Sequence, residues 1–67
     1  MSEISDKLVT MVTNAGNSMT YPALYAAVAV EERRLLPNAL KEAKKAGLLT
    51  EEVKLVDGVV IHTLIKV

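Results

Sequence analysis

The sequence predicts an α+β fold, three helices followed by a C-terminal β-hairpin, and three observations carry that expectation. Apolar residues recur at helical spacing from Ile4 to Ala15 and again from Leu36 to Ala43. After Gly47 this period gives way to loose alternation. Asp57-Gly58 then stands between two β-branched runs, a strong hairpin signal, because a type I′ turn needs positive φ at both central positions. With 67 residues the chain is expected to form a single domain over residues 1–67.

The first helix is predicted over residues 3–15. Ile4, Leu8, Met11, Val12 and Ala15 share one face at about 3.6 residues per turn. Ser2 is placed to cap it, and Glu3 and Asp6 lie in the first turn, where the helix dipole favours negative charge. Gly16 ends it, since it takes a left-handed C-cap conformation without a Cβ clash. A connector follows, with a short extended piece around Met19. Thr20 caps a second helix over residues 21–28, and Pro22 sits in its first turn, where a missing N–H costs little. Leu24, Ala27 and Val28 are expected to be its buried residues.

The third helix is predicted over residues 32–46, with Leu36, Ala39, Leu40 and Ala43 as its apolar stripe and Gly47 as its stop. Pro37 leaves two readings open. Either a helix from Glu32 is kinked by the loss of an interior hydrogen bond, or the helix begins near Pro37 after an irregular turn. The hairpin is predicted over residues 52–67. With Asp57-Gly58 at the tip, Val56 pairs with Val59, Leu55 with Val60, Lys54 with Ile61 and Val53 with His62.

Composition narrows the function classes. Half of the residues (51%) are hydrophobic and mean hydropathy is positive, which argues against disorder. There is no Phe or Trp, so the core must come from Leu, Val, Ile, Ala and Met. With no cysteine and a single histidine, neither a disulfide framework nor a structural zinc site is expected, and no cofactor is called for. A cysteine-free chain suits a reducing, cytoplasmic compartment. The N-terminal residues lack the basic start and apolar run of a signal peptide, and the uncharged stretch Leu8 to Val30 is too polar to span a bilayer.

The segment Ala39-Leu40-Lys41-Glu42-Ala43-Lys44-Lys45-Ala46-Gly47-Leu48-Leu49 carries an apolar i, i+4 pair, then a charged turn, then Gly-Leu-Leu leading into the hairpin. In this stretch, and in the order of elements from Ile4 to Val67, the chain resembles the winged helix-turn-helix superfamily. The resemblance implies that the third helix enters a DNA major groove and that the hairpin is a wing. Pro37 and the Glu31-Glu32 pair depart from the family pattern at the front of that helix, where a small or basic residue often faces phosphate.

On a helix over 32–46, Arg34, Asn38, Lys41 and Lys45 lie opposite the apolar stripe at i, i+4, i+7 and i+11. Arg34 and Asn38 suit guanine and adenine edges; Lys41 is expected to enter the major groove with them, though lysines such as Lys41 and Lys45 more naturally contact phosphates, and Arg33, Lys44 and Lys45 are assigned to phosphates. From Arg33 to Lys45 five basic residues stand against Glu42 alone, so the segment is +4 and the remainder −4 in a chain of zero net charge. Lys54 is expected to make only a minor wing contact, because Asp57 at the turn repels phosphate.

His62 shares a hairpin face with Val53, Leu55, Val60 and Leu64, which predicts a half-buried structural histidine rather than a catalytic one. An enzyme is therefore not expected. Val56, Val59, Ile61 and Ile65 form the opposite apolar face, which is expected to meet a second copy of the chain or another protein. Taken together, the expectation is a small regulator of transcription that binds specific double-stranded DNA through its third helix. The alternative is a winged helix used for protein binding.

Overall fold

Ser2 opens the chain's first helix by accepting a hydrogen bond from the Ser5 N–H (3.3 Å), as an N-cap serine does. The computed structural model describes residues 2–67. It comprises α1 (Glu3–Asn14), β1 (Ser18–Thr20), α2 (Tyr21–Ala27), a 3-10 segment (Val30–Leu35), α3 (Leu36–Lys45), β2 (Leu49–Val56) and β3 (Val59–Lys66). The strands form one antiparallel sheet in the order β1-β3-β2. Three α-helices, with β1 between the first two and the β2–β3 hairpin after the third, are compatible with a small winged-helix-like fold whose wing is β2 and β3.

The helix ends follow from the residues that sit there. Thr20 caps α2 by accepting from the Ala23 N–H (3.4 Å), and Pro22 occupies the first turn. Met19 lies in β1, opposite Leu64, so the extended piece becomes the third strand of the sheet. Asp57 (φ 51°) and Gly58 (φ 77°) both adopt positive φ, which gives the primed turn that matches strand twist. The register is the expected one: Val56 opposite Val59, Leu55 opposite Val60, Lys54 opposite Ile61, Val53 opposite His62.

Three expectations need correction. Of the two readings left open at Pro37 the later helix start holds, and the predicted span 32–46 is two pieces. Val30–Leu35 is a 3-10 helix in which the Glu32 N–H reaches Ala29 O at 2.9 Å, and α3 starts only at Leu36. The reason is Pro37, which has no N–H to give Arg33 O and whose ring would collide with that carbonyl inside a continuous α-helix. Placed in the first turn of α3, it costs nothing. Second, Ala27 is exposed, because α2 turns its Tyr21–Leu24–Val28 edge inward and Val28 leaves the helix at ψ 144°. Third, β2 begins at Leu49 and not near residue 52, so Thr50, Glu51 and Glu52 are strand residues.

The core lies between the three helices and the base of the sheet. Leu8, Val12, Leu24, Leu36, Ala43 and Leu64 are fully or almost fully inaccessible, with Val28, Ala39, Leu40 and Leu49 around them. Leu49, Leu64 and Met19 form the sheet face that covers the helices. That face continues through Glu51, Val53 and Leu55 toward the tip, but the helices do not reach so far. Val53 and Leu55 are therefore 57% and 73% exposed, and Val60 is also exposed. Only the base of this face, at Leu49 and Leu64, is packed.

Candidate nucleic-acid interface

The apolar stripe of α3 fixes which way its polar residues point. At about 100° per residue, Leu36, Ala39, Leu40 and Ala43 cluster on one side and are buried, so Asn38, Lys41 and Lys45 project from the other and are exposed. Lys44 and Glu42 occupy the two flanks. Lys44 Nζ is bonded to Glu51 Oε1, whose other oxygen meets His62 Nδ1. Glu42 turns toward the start of α1, where it accepts from the Ser2 backbone N–H and from Ser5 Oγ (2.7 Å).

These partners shape the local electrostatics. The Ser2 N–H, followed by the Ser5 and Ser2 hydroxyls, holds the Glu42 carboxyl below the usual glutamate range. The Lys44 ammonium, then His62, does the same for Glu51 against the opposing effect of burial. Glu42, the acid between Arg33 and Lys45, is thus directed away from the outer face of α3. Glu32 is neutralised by Lys7 at 2.9 Å.

The sequence-predicted site residues divide into three groups. Asn38, Lys41 and Lys45 are together on α3. Arg34 is exposed too, yet it belongs to the 3-10 segment, so the i, i+4 relation to Asn38 on one helix does not hold. Arg33 is engaged: its Nε donates to Tyr25 O at 2.9 Å and its guanidinium lies 4.6 Å from the Tyr25 ring centroid, tying the 3-10 segment to α2. Lys44 is paired with Glu51, and Lys54 with Glu52 at 3.2 Å. Among the described residues, Arg34, Lys41 and Lys45 have no acidic partner within ion-pair distance.

Sequence reasoning missed the partners Tyr25, Glu51 and Glu52. The last two could have been found from register, since Glu52 and Lys54 share a strand face and Glu51 lies diagonally across from His62. His62 itself is 49% exposed, so it is not the half-buried histidine expected, and its Nδ1 meets the Glu51 carboxylate. Of the expected apolar face, Val56 and Val59 are exposed while Ile61 and Ile65 are half-buried. No helix is long and apolar enough to cross a membrane among the described residues. Compared with protein-family models, curated proteins and solved structures, the chain gives no match.

Proposed function

We propose that this chain is a winged helix-turn-helix protein that binds double-stranded DNA, with α3 in the major groove, and regulates transcription by occupying its site. One observation carries the reading: Asn38, Lys41 and Lys45 stand on the outward face of α3, and among the described residues neither lysine nor the neighbouring Arg34 has an acidic partner. Asn38 has the paired donor and acceptor that adenine presents in the major groove. The three cations supply the phosphate attraction that positions a helix there. Arg33, Lys44 and Lys54 contribute less, because their heads are already held. The chain acts by binding and not by catalysis, in the cytoplasm, the compartment that a cysteine-free domain suits.

The test is an amide NMR titration with mixed-sequence duplex at low and then moderate salt. Shifts centred on Asn38, Lys41 and Lys45 that weaken as salt rises are expected. Unmoved peaks at low salt and micromolar duplex would end the proposal. A second reading, a winged helix that docks to protein, is favoured by the exposed Val53, Leu55, Val59 and Val60 at the hairpin tip. A partner of that kind would shift tip resonances and leave α3 unchanged.

A further inference from the structure

The hydrogen-bond phase of the hairpin determines what the outer edge of β2 offers. In a two-residue hairpin the flanking residues, here Val56 and Val59, exchange hydrogen bonds, and every second pair does so thereafter. The Val67 N–H to Leu48 O bond continues the same phase past the end of the strands. Thr50, Glu52 and Lys54 therefore bond inward to β3. Glu51, Val53 and Leu55 point their N–H and C=O groups outward, at an edge that no strand among the described residues covers.

We propose that two copies of this chain join along this edge, β2 antiparallel to β2, about a two-fold axis at Val53. The partner is identified by charge. With the axis at Val53, Glu52 of one copy lies directly opposite Lys54 of the other, and Lys54 opposite Glu52, on the same sheet face. Within each strand Glu52 and Lys54 already pair at 3.2 Å, so the join closes a square of alternating charges. The neighbouring registers do the opposite. An axis at Glu52 sets two carboxylates face to face, and an axis at Lys54 sets two ammonium groups face to face.

The backbone fits the same register. Val53 meets Val53, and Glu51 meets Leu55 of the second copy, so each outward N–H finds an outward carbonyl. Val53 and Leu55, which the helices leave exposed, gain neighbours across the join. The contact is narrow compared with a permanent dimer interface, so the pair should dissociate on dilution. The proposal is independent of DNA binding and places the interface on the edge of β2, not on the apolar face of Val56, Val59, Ile61 and Ile65.

Because the chain has no cysteine, a single introduced thiol reports only contacts between copies. Val53→Cys places two Cα atoms about 5.5 Å apart across the axis, within disulfide reach. Leu55→Cys places them about 13 Å apart, beyond it. Mild oxidation with diamide should give covalent dimer from Val53→Cys, with at least about tenfold less from Leu55→Cys. Sedimentation equilibrium supplies a second readout. Glu52→Lys and Lys54→Glu should each weaken self-association about tenfold, and equal amounts of the two mixed should recover it, since the pairs between them are again opposite in sign. The proposal fails if the unaltered chain stays monomeric to about millimolar concentration. It also fails if both charge variants self-associate as well as the parent, or if Leu55→Cys crosslinks as readily as Val53→Cys. DNA titration of these variants is a separate measurement, so either proposal can fall alone.

Discussion

Ser5 and Glu42 are joined across the fold: the wholly buried Ser5 donates its hydroxyl to Glu42 at 2.7 Å, with Ala39 O at 3.2 Å from the same oxygen. That link ties the first turn of α1 to the middle of α3. Its pH dependence follows from the depressed Glu42 pKa. A carboxylate with a lowered folded pKa adds stability above its unfolded value, about 4.3, and loses that stability as pH falls through the folded value. Urea denaturation of the wild type and Glu42→Gln should differ at neutral pH, with the wild type the more stable, and converge as pH drops below the glutamate range. A gap that widens in acid would contradict the assignment. Leu64, the β3 residue sealed against the helices, gives a different expectation: Leu64→Ala should cost about 2–5 kcal/mol in the same assay. Leu64 was readable as a core residue from alternation alone. Ser5 was not, since a serine on the flank of an amphipathic helix is buried only by its partner at Ala39, and nothing local in the sequence announces a contact so distant.

At the scale of elements, signals that act within a few residues were legible and those that depend on competition were not. Ser2 and Thr20 set caps through their side-chain oxygens, Gly16 and Asp57-Gly58 set a helix end and a turn through positive φ, and the hairpin register followed from the turn. The front of α3 was different, because acidic residues suited to a helix start compete there with a proline five positions on. The structure resolves this with a 3-10 segment up to Leu35 and Pro37 in the first turn of α3. Pro37→Ala tests the division. Were one α-helix continuous from Glu32, removing an interior proline would stabilise the protein by about 3 kcal/mol. With Pro37 in a first turn, its ring restricts mainly the unfolded chain, so the alanine variant should be less stable by about 0.4–1 kcal/mol. The sign of the change, read from the denaturant midpoint, decides between them.

Across the whole molecule, charge segregation was visible in the sequence but its effective pattern was not. Counting gave +4 between Arg33 and Lys45 without revealing that Lys44 is matched by Glu51, that Arg33 lies on Tyr25, or that Glu42 faces α1. The reach of the helices over the sheet was equally hidden, because alternation assigns side chains to a face without stating how much of that face is covered. Once these pairings are included, the cationic surface contracts to Arg34, Lys41 and Lys45, and this contraction has a measurable consequence. For a protein that neutralises DNA phosphates, log affinity falls with log salt concentration by about 0.9 for each phosphate contacted. Lys41→Ala and Lys45→Ala should each lower that slope by about this amount and weaken binding to all duplexes alike. Lys54→Ala, distant from α3 and paired with Glu52, should leave the slope unchanged. Asn38→Ala should leave the slope unchanged too, yet reduce discrimination among sequences by about 1–3 kcal/mol at the base pair it reads. Fluorescence anisotropy at several salt concentrations separates these outcomes. Equal loss of slope at Lys54 and Lys41 would mean that the duplex senses only overall charge, and the outer face of α3 would lose its special place.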